Sequence, residues 1–197
     1  MAVNLTKGQR VSLDSSMKMA LVGLGWKSNK YDGGYDFDLD ASAFLLGANG
    51  KVTGDSDFVF YNNPSAYNGA VKSSGDDTEG SDDGNDGDNE QLVIDFTKLP
   101  AKIEKIAITV TIHEAAERRQ NFGQVSNAYV RVAKMQNEFD TDGETMIKFD
   151  LEEEFSIETA IVVCEIYKRD GEWKFNAVAA GYQGGLATLC RNYGVNI

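Results

Sequence analysis

Ile106-Ala107-Ile108-Thr109-Val110-Thr111-Ile112 places a β-branched apolar residue at every second position. Successive side chains of a strand point to opposite faces, so Ile106, Ile108, Val110 and Ile112 share one face. An amphipathic helix instead repeats its apolar positions every three or four residues. Shorter runs of the same kind cover Val11 to Leu13, Lys51 to Thr53, Phe58 to Phe60 and Leu92 to Phe96. Others cover Tyr129 to Met135, Met146 to Phe149, Ala160 to Tyr167 and Trp173 to Ala180. Ala48-Asn49-Gly50-Lys51 predicts a type I′ hairpin turn, because Asn-Gly accepts two positive φ angles. Lys168-Arg169-Asp170-Gly171-Glu172 predicts a second hairpin. About nine or ten strands with short turns predict an antiparallel β-sandwich of two packed sheets, with a closed barrel as the alternative. Helix is confined to short peripheral pieces: Gly185 to Tyr193, ended by Gly194, and a single turn or irregular stretch over Glu117 to Phe122.

At 197 residues and 42% hydrophobic content the chain fits one domain with an ample core. Its net charge of −12 argues against nucleic acid, which is bound by neutralising phosphates with Lys and Arg. The same charge disfavours an anionic membrane surface unless a divalent cation bridges the two. Met1 to Gly8 has no apolar stretch of the secretory kind, and Ala20 to Trp26 is far too short to span a bilayer. Cys164 and Cys190 are expected to be buried free thiols. An intracellular, soluble protein is the expectation.

The charge is concentrated. No Lys or Arg occurs between Lys72 and Lys98, and residues 76–90 carry eight carboxylates. Two carboxylates 4 Å apart repel by about 1 kcal/mol even in water. Such a segment either stays extended and solvated, as acidic Gly-rich runs commonly do, or is gathered by a cation. A second acidic set favours the cation. In Tyr35-Asp36-Phe37-Asp38-Leu39-Asp40-Ala41, alternation puts Asp36, Asp38 and Asp40 on one face and Phe37, Leu39 and Ala41 on the other. Like charges stacked along one strand face are unfavourable alone. Carboxylates and amides suit calcium, which takes 6–8 oxygen ligands; magnesium prefers fewer protein ligands and retained water. Zinc would call for clustered His and Cys, and the chain has one histidine, His113. Neither segment is an EF-hand, since positions six and twelve counted from Asp36 are Ala41 and Gly47. Asp140-Thr141-Asp142-Gly143-Glu144 reads as a plain acidic hairpin turn.

A Ser-His-Asp or Cys-His centre would have to use His113, which ends a strand and reads better as a satisfied edge residue. No phosphate loop or dinucleotide fingerprint is present. Arg118 and Arg119 read as a surface or salt-bridged pair. The expectation is a protein that is not an enzyme.

Several motifs occur in a specific order: Leu5-Thr6-Lys7-Gly8-Gln9, Gly23-Leu24-Gly25-Trp26, Asp36-Phe37-Asp38-Leu39-Asp40-Ala41-Ser42 and Phe60-Tyr61-Asn62-Asn63. Gly75-Asp76-Asp77, Asp86-Gly87-Asp88-Asn89-Glu90 and Asn121-Phe122-Gly123-Gln124-Val125 follow. In these the chain resembles the TerD family of bacterial tellurite-resistance and stress-response proteins over nearly its whole length. The resemblance implies a single TerD-like domain over 1–197, a β-sandwich with short peripheral helices, and calcium held in acidic loops at one end. It carries over Asp76, Asp86, Asp88 and Glu90 as metal ligands. Asp77 stands where the family usually has Asn, and Asn89 where it has Asp. Asp82 and Asp83 lie in an apparent insertion. Asn62 follows an apolar strand and would add an amide oxygen. The expected metal set is therefore Asp36, Asp38, Asp40, Asn62, Asp76, Asp77, Asp86, Asp88 and Glu90, with two or more calcium ions. The implied role is non-enzymatic: calcium orders the loops and supports interaction with partners. Those partners are other tellurite-resistance proteins, including a membrane-embedded one, and recruitment to the inner face of the membrane would run through them. The alternatives are a purely structural calcium site on an interaction domain, or a metal-assisted hydrolase.

Overall fold

The fold is that of a computed structural model, which describes residues 2–28, 37–73, 87–140, 142–151 and 155–196. Thirteen strands occur among the described residues. In chain order they are β1 (Val3–Leu5), β2 (Arg10–Ser12), β3 (Met19–Ser28), β4 (Leu39–Leu46), β5 (Phe58–Val59) and β6 (Ser65–Ala66). Then come β7 (Val71–Ser73), β8 (Glu90–Asp95), β9 (Lys105–Ile112), β10 (Val125–Met135), β11 (Glu144–Asp150), β12 (Ala160–Arg169) and β13 (Glu172–Tyr182). They form a seven-stranded sheet, β1-β11-β10-β3-β8-β7-β6, and a six-stranded sheet, β2-β13-β12-β9-β4-β5. The expected two-sheet sandwich is what forms. Among the described residues neighbouring strands pair antiparallel except β1 with β11, which run parallel.

The core lies between the sheets. From the six-stranded sheet it takes Ile106, Ile108, Val110 and Ile112 of β9, the predicted face, with Leu39, Ala41 and Leu45 of β4. From the seven-stranded sheet come Ala20, Val22, Leu24 and Trp26 of β3, and Leu92 and Ile94 of β8. A second apolar layer covers the outer face of the six-stranded sheet. There helix α2 (Gly185–Tyr193) lays Leu189 and Cys190 on Phe44, Leu46, Phe58 and Val162. β4 is consequently buried at all eight positions. A strand covered on both faces loses its polar alternation. α2 keeps its expected bounds, with Gly184 and Gly194 both in left-handed backbone at its ends.

Two local expectations are corrected. The Asn49-Gly50 turn is not type I′: only Gly50 has positive φ (72°), and its N–H donates to Gly47 O at 2.9 Å. Five residues separate the bridged pair Leu46 and Val52, so the loop is too long for a two-residue turn. The strand expected over Lys51 to Thr53 shrinks to that one bridge. The chain turns away because Thr53 N–H donates to Asp57 Oδ2 at 2.9 Å and Val52 N–H to Tyr193 O at 2.9 Å. The type I′ geometry appears instead at Asp170 (φ 56°) and Gly171 (φ 82°), between paired Arg169 and Glu172.

One end of the sandwich gathers most of the informative segments. Ser28, ending β3, pairs with Val125, starting β10. Phe122 N–H, three residues earlier, donates to Glu158 O at 2.9 Å, just ahead of β12. Ala160 of β12 pairs with Thr111 of β9, and Ile112 pairs with Leu39 of β4. Glu90, starting β8, pairs with Leu24 of β3. The starts of β4 and β8, carrying the two acidic sets, thus lie at one loop end.

Candidate functional site

At the start of β4 the predicted alternation holds: Phe37, Leu39 and Ala41 are buried in the core, while Asp38 and Asp40 face the other way. Asp38 O accepts the His113 N–H at 2.9 Å, and Asp38 Oδ2 lies 3.6 Å from Arg118 Nη1. Asp40 Oδ2 lies 3.6 Å from His113 Nδ1, and His113 Nε2 lies 3.6 Å from Glu114 Oε1. These are charge contacts longer than ordinary hydrogen bonds. Arg118 Nη2 donates to Glu114 Oε2 at 3.3 Å across the single turn of α1 (Ala115–Arg118). The expected pairing of Arg118 is therefore present.

Beside this cluster opens a cleft of about 480 Å³. Asp40 and Thr111 supply its sheet side, Glu114 and Glu117 come from the α1 turn, and Gly184 to Ala187 from the start of α2. Tyr61 and Ile157 also line it and are exposed. Gly185 N–H donates to Thr159 Oγ1 at 3.0 Å. Tyr61 belongs to a run of ring contacts: Phe44 on Phe58 at 4.3 Å, Phe58 on Phe60 at 4.3 Å, Phe60 edge-on to Tyr61 at 5.1 Å, and Tyr61 edge-on to His113 at 6.3 Å. The ladder roots an exposed tyrosine in the second apolar layer.

The start of β8 is built differently. Asn89 Oδ1 accepts the Trp26 N–H at 2.9 Å, and Asn89 N–H donates to Leu24 O at 2.8 Å. Glu90 shares the inward face with Leu92 and Ile94 and is buried. Asp88 lies on the outer face of the seven-stranded sheet, where its side chain is 0% exposed. Arg131 donates to it through Nη2 at 2.7 Å and Nε at 2.9 Å, Tyr129 OH at 3.1 Å and Gln91 Nε2 at 3.0 Å. Arg131 Nη1 also donates to Asp142 O at 2.9 Å and Thr145 Oγ1 at 3.1 Å. The hydrogen bond to Asp88 raises the guanidinium pKa against the opposing effect of burial.

The expected metal set is thus dispersed among the described residues. Asp38 and Asp40 sit on the outer face of one sheet, Asp88 on the outer face of the other, and Glu90 between the sheets. Asn62 is exposed in the turn beside Tyr61; it is Asn63 whose Nδ2 donates to Phe58 O at 2.7 Å. Asp36, Asp76, Asp77 and Asp86 lie outside the described residues. No group of three His, Cys, Asp or Glu side chains able to hold an ion occurs among the described residues. The donors present at the loop end, carboxylates and amides, match a hard cation in kind. The third acidic turn is structural: Asp140 accepts the Gln136 and Gly143 N–H groups at 3.0 and 2.9 Å.

Sequence reasoning missed Arg131 and the cleft. Arg131 sits 43 positions from Asp88, and its only local signal is a charge within an otherwise apolar alternation. Cys164 and Cys190 are free and buried as expected, and burial pushes both thiols up. Among the described residues no helix is long and apolar enough to cross a membrane.

The TerD domain family matches residues 1–193. A tellurium resistance protein TerD of Serratia marcescens is 50% identical over 100% of this chain and 99% of its own. General stress protein 16U of Bacillus subtilis is 48% identical over the whole of both chains. A solved TerD homologue, SCO6318 of Streptomyces coelicolor, superposes with a TM-score of 0.67 at 20% identity, over 88% of this chain and 95% of its own, and shows the fold alone. The match spans the motifs of both acidic segments and the strands that carry them, and on it the chain belongs to the TerD family of tellurium-resistance and stress-response proteins.

Proposed function

We propose that this chain is a non-enzymatic calcium-binding protein of the tellurite-resistance and general stress response, in which calcium gathers the acidic segments at the loop end and presents that end to partner proteins. The observation that carries the reading is topological. The starts of β4 and β8 share one end of the sandwich, and the sequence that leads into β8, residues 76–90, carries eight carboxylates. A cation there relieves repulsion that no Lys or Arg of that segment offsets. Asp38 and Glu90 are the described residues assigned to the ions, with Asp36, Asp76, Asp77 and Asp86. Asp88 is assigned to Arg131, and Asp40 faces His113. Direct reduction of an oxyanion would ask for reactive thiolates, and both thiols are buried with their pKa raised.

Calcium at about 100 times its dissociation constant should add roughly 2.7 kcal/mol to stability if only the folded chain binds it. A melting curve in calcium that overlays the curve in chelator would remove the proposal. Calorimetric titration refines the ligand set: Glu90→Gln and Asp38→Asn should weaken binding, whereas Asp88→Asn should keep the ion stoichiometry.

A further inference from the structure

We propose that the cleft between α1, the start of α2 and the Tyr61 turn receives an arginine side chain from a partner polypeptide. Its volume of about 480 Å³ lies within the range of sites that enclose small ligands or a few residues. Three carboxylates line it, Asp40, Glu114 and Glu117, and the only basic group among the lining residues is His113. Arg118 offsets one of the three, Glu114, and shares its guanidinium with Asp38, so the lining keeps a net negative charge. Asp40 is nine-tenths buried, so its field reaches into the cleft with little screening.

The rim adds what a bare ion would not need. Among the described residues four large hydrophobic side chains are exposed: Val3, Tyr61, Phe139 and Ile157. Two of them, Tyr61 at 44% and Ile157 at 58%, border this one cleft. Together they give an incoming side chain apolar surface to pack on beside the carboxylates. A guanidinium stacks on an aromatic face and forks onto carboxylates, whereas an ammonium does the first less well. An anion is disfavoured by the carboxylates, and the Gly185 N–H at the start of α2 already donates to Thr159. The occupant that complements this charge and this rim is an arginine with apolar neighbours.

None of the groups that line this cleft is assigned to calcium, so binding is measured in chelator. The ¹⁵N-labelled protein is titrated with the capped tripeptide acetyl-Leu-Arg-Leu-amide and with the same peptide carrying citrulline, which keeps the shape and removes the charge. Saturable amide shifts at His113, Gly184 and Gly185 are expected with arginine, weakened about tenfold or more with citrulline, as loss of one charge-assisted contact gives. Tyr61→Ala and Glu117→Gln, both at exposed positions, should each weaken the arginine peptide several-fold with an unchanged melting temperature. No saturable shift up to about 10 mM peptide overturns the proposal, as that concentration covers millimolar affinity. So does equal binding of the citrulline peptide, or a shift pattern centred on Asp88 to Glu90 instead of the cleft. A flat calcium melting curve leaves this result standing, and a failed arginine titration leaves the calcium reading standing.

Discussion

A Cβ at residue 23 would collide with the Asp88 carboxylate, and one at residue 25 with the Tyr129 ring. Gly23 and Gly25 therefore clear the outer surface of β3 so that Asp88 can lie flat on it and meet Arg131. Removing one partner of a buried ion pair strands the other, at a typical cost of about 3–5 kcal/mol. Arg131→Met should therefore destabilise the fold by about 3 kcal/mol in urea denaturation, at the low end because Arg131 keeps some exposure. The double variant Arg131→Met with Asp88→Leu should recover a large part of that loss, since it removes the stranded charge. A single Arg131→Met variant as stable as the parent would show the pair to be dispensable. Sequence alone gave Asp88 the same standing as its acidic neighbours. The partner that sets it apart reaches it across the sheet, and two glycines read as mere family motif residues make the room.

Among the elements, legibility followed the number of covered faces. β9, β12 and β13 were read close to their full length because alternation or a continuous apolar run persists along them. β1, β6 and β7 have two or three residues and leave no periodic trace. β3 was seen only as an apolar run, its β propensity diluted by Gly23 and Gly25. The acidic face of β4 was legible from spacing, but the cleft beside it was not, because α1, α2 and the Tyr61 turn come from distant parts of the chain. Turn chemistry is half legible: the Asn49-Gly50 signal marks a longer loop closed by one bridge, and the hairpin with type I′ geometry is the second, at Asp170-Gly171. There Gly171, with φ of 82°, is the residue that resists a side chain. Gly171→Ala should cost about 1 kcal/mol, the penalty of placing a Cβ in left-handed backbone. Nothing crowds the site, so equal urea midpoints for Gly171→Ala and the parent would contradict a purely conformational penalty.

For the whole molecule, charge sets how acid acts on it. Asp14 is held at about 2 by the Ser16 N–H and hydroxyl and by Lys134. Glu158 is held low by the Ile157 and Ser156 N–H groups, and Asp140 by those of Gln136 and Gly143. Burial opposes ionisation of Asp95, yet hydrogen bonds from Thr97 and Lys98 outweigh it and leave its pKa lowered. Folded values below the unfolded ones contribute stability that is complete above the ordinary values of 3.8 to 4.5 and lost as pH falls through the folded ones. The urea midpoint should fall as pH drops from about 4.5 toward 2, and Asp95→Asn should flatten part of that fall. A midpoint that rises over this range would mean relief of acidic repulsion outweighs these hydrogen bonds. The same architecture also supplies an optical readout. Trp26, buried at the loop end, donates its backbone N–H to Asn89, while Trp173 packs at a tilt against Phe96 near the start of β13, at the opposite end. Replacing Trp173 with phenylalanine would leave one tryptophan in the chain, its indole packed where the acidic segment rejoins the sheet, so that emission excited at the red edge, where tyrosine does not absorb, would report on that junction without any attached dye.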